Sequence, residues 1–277
     1  MNKTTWKIWC LMTIQEWLNN DQLGIDIWEK KYRYNNETLD EWFDRVSGGN
    51  NTVKQSIINK EFIFGGRILA GRGITDAKYS LSNCYVITPP EDSIESIFEC
   101  ATKMARTFSY GGGAGTDLSK LAPKGAIVRN SAKHSDGVTP FMELLSAVTG
   151  SIAQNSRRGA AILTLDCSHP DVIDFINFKT DLNKCNFANI SIKVTDAFME
   201  AAINNQDWEL SFTRKETGET ISKTVNANDI LTLLAKRNWE MAEPKHNLGS
   251  LNSSIAGKLK LYNHADQQGN KIIIYGY

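Results

Sequence analysis

An α/β fold preceded by a helical N-terminal domain is predicted by two observations. From Ser82 onward, short apolar runs alternate with segments whose apolar residues recur at helical spacing, the pattern that lays helices against a sheet. Before about residue 60, Trp6, Trp9, Trp17, Trp28 and Trp42 stand among polar residues, and Leu39, Trp42, Phe43 and Val46 share one helical face. The expected organisation is a helical domain over 1–60, an α/β body over 61–244 and a tail of different character over 245–277.

The elements follow in order. Gly48-Gly49-Asn50-Asn51 is a turn inside the helical domain. Phe62 to Leu69 reads as an apolar strand broken by Gly65 and Gly66, where backbone can approach a ligand or another segment. Ser82 to Ile87, stopped by Pro89-Pro90, reads as a strand that delivers Cys84. Asp92-Ser93-Ile94-Glu95 has the form of a capping box, and Ile94, Ile97, Phe98, Ala101, Met104, Ala105 and Phe108 then fall on one helical face.

Gly111 to Gly115 permits close backbone packing but matches neither GxGxxG nor GxxxxGK[ST]. A second amphipathic helix carries Val138, Phe141, Met142, Leu145, Val148 and Ile152 on one face, and a basic loop lies on each side of it. Ala161 to Asp166 reads as a strand, with Pro170 at the first position of the next helix and His169 satisfied by backbone at its start. Ile190, Ile192 and Val194 alternate with polar residues up to a helix cap at Asp196, and Trp208, Leu210 and Phe212 alternate likewise. A last helix starts near Asn228, with Ile230, Leu231, Leu234 and Trp239 on its inner side.

Composition narrows the function classes. The 277 residues carry 31 basic and 31 acidic side chains, so a general affinity for nucleic acid is not expected. No apolar run reaches the length of a membrane span and the first residues lack the order of a signal peptide, so a cytoplasmic protein is expected. Five scattered cysteines form no CxxC motif, and four scattered histidines supply no ligand cluster, so neither a disulfide scaffold nor a metal site is expected.

Several separated motifs resemble the large, catalytic chain of ribonucleotide reductase, most closely its adenosylcobalamin-dependent class II. They are Ser82-Asn83-Cys84-Tyr85-Val86, the glycine run, Ser135-Asp136-Gly137 with Pro140-Phe141-Met142, Arg157-Arg158-Gly159-Ala160, and His169-Pro170-Asp171 with Phe175-Ile176. The resemblance runs from about Gly24 to Trp239-Glu240-Met241-Ala242-Glu243-Pro244 and fails beyond it. It implies the first half of a ten-stranded α/β barrel, hence an N-terminal portion. The family's radical-bearing cysteine loop belongs further downstream, its ATP-binding regulatory domain belongs upstream, and this portion alone is expected to be inactive.

By resemblance, Cys84 is one of two thiols that reduce the ribose 2'-position by closing to a disulfide. From the residues alone a buried, inert strand cysteine is the better reading, and the surrounding family motifs reverse that preference. Gly66, Arg67 and Asn83 are implied as substrate contacts, against the alternative of a tight turn into a core strand. Asp92 and Ser93 are implied at the sugar of an allosteric deoxynucleotide, alongside a capping role. Lys124, Arg129 and Lys133 resemble a first specificity loop that meets the effector's triphosphate, or else a solvated basic loop. Gln154, Asn155, Ser156, Arg157 and Arg158 resemble a second specificity loop that lies between the effector base and the substrate base.

Adenosylcobalamin, held largely outside this segment, is the implied cofactor, with dNTP or ATP as effectors. The implied partners are a ribonucleotide substrate, a thioredoxin- or glutaredoxin-type reductant and a second copy in a homodimer. Two alternatives remain at this stage. One is the iron-dependent class I large subunit; the other is a catalytically inactive truncated module that binds nucleotide or dimerises.

Overall fold

Capped helices packed through tryptophan build one unit, Met1–Asn83, and a parallel sheet builds the other, Cys84–Tyr277. The division thus falls at Cys84 rather than near residue 60. A computed structural model describes residues 12–76, 80–128, 132–154 and 157–248, with backbone alone at 153–154, 157–158 and 245–248. Trp6, Trp9, Cys10 and most of the tail lie outside the described residues.

The first unit consists of α1 (Ile14–Trp17), α2 (Gln22–Ile27) running into a π-helical turn (Trp28–Tyr32), α3 (Leu39–Ser47), α4 (Asn51–Ile58) and α5 (Gly66–Gly71). Thr13 with Glu16 and Thr38 with Glu41 form reciprocal capping boxes, each satisfying free amides at a helix start. Gly48 ends α3 with φ +67°, and Asn50 caps α4, so the expected turn is present. Trp17, Trp28, Trp42 and Phe43 pack ring to ring in tilted and edge-on pairs, with Val46 and Ile57 fully buried beside them.

The expected strand at Phe62 to Leu69 is not formed. Residues 66–71 are helical, because the Gly65 carbonyl accepts from both Ile68 and Leu69 and the turn buries Leu69 in this unit's core. A short apolar run has no period that separates strand from helix, and packing decided for helix.

In the second unit, strands β1 (Cys84–Val86), β2 (Gly113–Asp117), β5 (Ala161–Asp166), β6 (Ala188–Val194) and β9 (Lys245–Leu248) form one parallel sheet in the order β1-β2-β5-β6-β9. The start of the segment expected to depart from the α/β body is therefore a strand of this sheet. Helices α6 (Ile94–Ser109), α7 (Thr139–Ser151), α8 (Val172–Asn177), α9 (Asp196–Ile203) and α10 (Ala227–Met241) surround it. Leu163, Leu165, Ile190 and Ile192 are completely buried between sheet and helices, as strands covered on both faces require.

The glycine run leads into a strand: Gly111 turns at φ +82° and Gly113–Asp117 form β2. A side chain at Gly115 would lie 2.7 Å from Ile162 Cγ2, and one at Gly112 would lie 2.8 Å from the Tyr85 ring. Close packing of β2 on its neighbours is what these glycines allow.

Four local expectations are corrected. Ser93, not Asp92, caps α6 through its hydroxyl, because the Asp92 carboxylate is engaged elsewhere. Thr195 rather than Asp196 caps α9. Pro170 precedes the Asp171 cap of α8 instead of opening the helix. Trp239 is 88% exposed and lies on the outer face of α10, while Ile230 and Leu234 are buried.

Two elements went unexpected as a unit: β7 (Asp207–Thr213) and β8 (Thr220–Asn226) form an antiparallel hairpin apart from the main sheet. Two short strands, β3 (Ala153–Gln154) and β4 (Arg157–Arg158), pair antiparallel between α7 and β5. Among the described residues no helix is long and apolar enough to cross a membrane.

Candidate functional site

The start of α6 and the loop between β2 and α7 come together around a cavity of about 570 Å³. Its lining includes Asp92, Ser93, His134, Ser135, Asp136 and Arg214. Sequence order alone would not bring Arg214 here; it belongs to the tip of the β7–β8 hairpin.

The loop is held at its base by one carboxylate. Asp171 accepts from the Lys124 amide at 3.0 and 3.2 Å and from the Val138 amide at 3.1 Å, so both ends of the 124–138 segment meet on the same side chain. Gly137 must be glycine for this: its φ is +83°, and a Cβ there would lie 2.4 Å from Asp171 Oδ2. The Ser135-Asp136-Gly137 and His169-Pro170-Asp171 motifs are two halves of one clamp.

His169 supports the clamp from below. Its Nδ1 accepts from the Asp171 amide at 3.1 Å, so the proton sits on Nε2 and is donated to the Leu121 carbonyl at 3.0 Å. Burial pushes the imidazole below its ordinary range, against the opposing effects of the Leu121 carbonyl and Asp171. The histidine is a buried neutral strut, as expected from its position.

The upper part of the loop is held by the hairpin. Arg214 Nε donates to Asp92 Oδ2 at 2.9 Å, Nη2 pairs with Glu216 at 2.7 Å, and Nη1 donates to the Ile127 carbonyl. The Ile127 amide in turn donates to Glu219 at 2.9 Å. The other oxygen of Asp92 accepts from the Ala122 amide at 3.0 Å. Asp92 is thereby fixed in orientation, and each carboxylate oxygen keeps a lone pair that can accept from a ligand hydroxyl.

The remaining expected residues are distributed as follows. Lys124 and Lys133 are exposed on the loop, with Lys133 at φ +62°. Arg129, Asn155 and Ser156 lie outside the described residues. The backbones of Gln154, Arg157 and Arg158 belong to the β3–β4 ladder. Gly159 anchors the end of that segment, since a Cβ there would meet the Thr149 carbonyl at 3.0 Å and the Phe108 ring at 3.1 Å. Gly66, Arg67 and Asn83 belong to the first unit, and Gly66 lies against the Tyr32 hydroxyl.

Cys84 differs from the other described cysteines. It is exposed at the start of edge strand β1, opposite Gly113, whereas Cys100, Cys167 and Cys185 are buried free thiols. Burial raises the Cys100 thiol, and pushes Cys167 up to about 12 and Cys185 up to about 11. Of the four, Cys84 alone is exposed.

A family model for the ribonucleotide reductase barrel domain matches residues 82–252, which spans both the clamp and Cys84. The chain belongs to the ribonucleotide reductase family. It is 36% identical over 167 residues to the vitamin B12-dependent ribonucleoside-diphosphate reductase of Thermoplasma acidophilum, a match covering 59% of this chain and 21% of that protein. The large chain of ribonucleoside-diphosphate reductase from Encephalitozoon cuniculi is 30% identical over 136 residues, 47% of this chain and 18% of that one. The vitamin B12-dependent reductase of Mycobacterium tuberculosis is 36% identical over 127 residues, 45% of this chain and 18% of that one. The chain therefore spans about a fifth of the length of these reductases.

Proposed function

We propose that this chain is the N-terminal portion of a reductase catalytic chain of the adenosylcobalamin-dependent class, and that its cavity binds a deoxynucleoside triphosphate or ATP as allosteric effector. One observation carries the proposal: Asp92 and Ser93 at the start of α6 and loop residues between Val128 and Gly137, selected separately by motif, line one cavity, with Lys124 and Lys133 outside that lining. In this reading the Asp92 carboxylate accepts the effector's sugar hydroxyl, cations of the loop meet its phosphates, and residues 154–158 relay base identity to the substrate side. The 36% identity to two reductases named as vitamin B12-dependent supports that class, while others so named are 28% identical and large chains not so named are 30–33% identical.

In the whole protein, Cys84 supplies one of two thiols. Together they deliver two electrons and two protons to the ribose 2'-position, the hydroxyl leaves as water, and the sulfurs close to a disulfide that a thioredoxin- or glutaredoxin-type dithiol reopens. Gly66, Arg67 and Asn83 contact the ribonucleotide, and two copies of the chain form a homodimer in a cytoplasmic enzyme. When bound, adenosylcobalamin supplies the initiating radical.

Titration calorimetry of the purified chain with dTTP and dATP tests the cavity. Saturable binding that Asp92→Ala weakens supports the effector reading. An absence of heat at millimolar nucleotide contradicts it.

A further inference from the structure

The Arg214 guanidinium faces the proposed effector cavity, yet no motif of the chain led to it. It follows the last residue of β7, and the hairpin tip is closed by its own backbone: the Arg214 amide donates to Glu219 at 2.8 Å and its carbonyl accepts from Gly218 at 2.8 Å. Its side chain is 7% exposed, against 26% for Asp92 and 53% for Glu216. A guanidinium that well covered needs several acceptors, and it has three on three different segments: Asp92 at the head of α6, Ile127 in the loop, and Glu216 in the hairpin.

Two consequences follow from that placement. Ile127 has both backbone groups held by the hairpin tip, its carbonyl by Arg214 and its amide by Glu219, so the hairpin sets the height of the loop over the cavity. The cavity wall also carries four carboxylates, Asp92, Glu95, Asp136 and Glu216. Arg214 is the buried cation among them and offsets one of those four negative charges.

We infer that Arg214 is a positioning residue of the effector cavity: it aims the Asp92 carboxylate and fixes the loop, making the β7–β8 hairpin a working part of the nucleotide site. This rests on the effector reading given above. The hairpin is also tied to the segment just past β5, by the Trp208 indole on the Cys167 carbonyl at 3.1 Å and the Ser211 amide on the Ser168 carbonyl at 2.8 Å.

The experiment is competitive binding of dTTP and of 2',3'-dideoxy-TTP to the full chain and to Arg214→Ala and Arg214→Lys. Loss of charge-assisted contacts should weaken dTTP binding by about tenfold or more in Arg214→Ala. Lysine, which keeps the charge but not the fork, should recover part of that loss. If Arg214 acts through Asp92, removing the sugar 3'-hydroxyl weakens binding to the wild-type chain but has little further effect in Arg214→Ala. Equal losses for both nucleotides in Arg214→Ala, or no loss for either, overturn the inference while leaving the effector reading standing. A wild-type chain that binds neither nucleotide overturns both. Should Arg214→Ala not fold, Arg214→Lys carries the same 3'-hydroxyl comparison.

Discussion

Each of the two units contains an arginine that is largely covered, and the pair contrasts a side chain that serves stability with one that lines a cavity. Arg45, 11% exposed, grips Glu37 in two-pronged fashion at 2.9 and 2.7 Å and donates to the carbonyls of Arg72, Tyr32 and Leu69. Those carbonyls close α5 and the π-helical turn, where helix ends leave acceptors free and favour a cation. Arg214 instead holds two carboxylates that remain partly open to a cavity. The first arrangement consumes its partners; the second presents them.

Removing each guanidinium should separate these roles. Arg45→Ala strands Glu37, which is 10% exposed, and should destabilise the first unit by about 3–5 kcal/mol, the usual cost of breaking a buried pair. Arg214→Ala leaves Asp92 with the Ala122 amide and access to water, so its cost to the second unit should be about 1–3 kcal/mol. Urea titrations read by segment-resolved hydrogen exchange measure both. A larger loss from Arg214→Ala than from Arg45→Ala would break the contrast.

Glycines sharpen it at a smaller scale. Gly137 and Gly48 both have positive φ, +83° and +67°, so an added side chain strains the backbone at either position by about 1–2 kcal/mol. They differ in what the new Cβ meets. At Gly48 it meets the guanidinium end of Arg72 at 2.5 Å, which can swing aside. At Gly137 it meets Asp171 Oδ2 at 2.4 Å and the Lys124 amide at 3.0 Å, both fixed by the clamp. Gly137→Ala should therefore cost more than Gly48→Ala and also weaken nucleotide binding, as the same titrations and calorimetry would record.

Much of this architecture was legible in the sequence because burial leaves a period. Ile190, Ile192 and Val194 are buried as their alternation requires, and Leu39, Trp42, Phe43 and Val46 share the buried face of α3. The misreadings have physical causes. Phe62 to Leu69 is apolar in a way that suits either a strand or a helix, and Trp239 fits the helical face although its indole is outside. The clamp was visible only as motifs: glycine at 137 and aspartate at 171 were each recognisable, but their contact joins residues 34 apart in the chain. Arg214 left no signal, since an arginine after an amphipathic strand reads as surface and its carboxylate partner is 122 residues away. The turn around Gly218, at φ +70°, was the available sign that a hairpin stood there.

The last contrast between the units is their response to pH. The four histidines are His134, His169, His246 and His264, so the first unit has none. Its perturbed carboxylates, Glu16 and Glu41, are held below the usual range by the amides of Thr13 and Thr38 and change in acid, while Lys54, lowered by burial but raised overall by Asp40 and Asp44, changes in alkali. In the second unit His169 is held below its ordinary value by burial. A folded-state value below the unfolded one of about 6.5 means that the unfolded chain binds the extra proton first. The contribution is complete above that pH and is lost as pH falls from there through the folded value, with a slope of at most about 1.4 kcal/mol per pH unit. Protonation would also fill Nδ1, the atom that accepts from the Asp171 amide, and so loosen the clamp under the effector loop. Between pH 7.5 and 5.5 the second unit should lose stability while the first holds, and His169→Gln should flatten the slope. A slope that survives in His169→Gln would place the titrating group elsewhere and detach the clamp from pH.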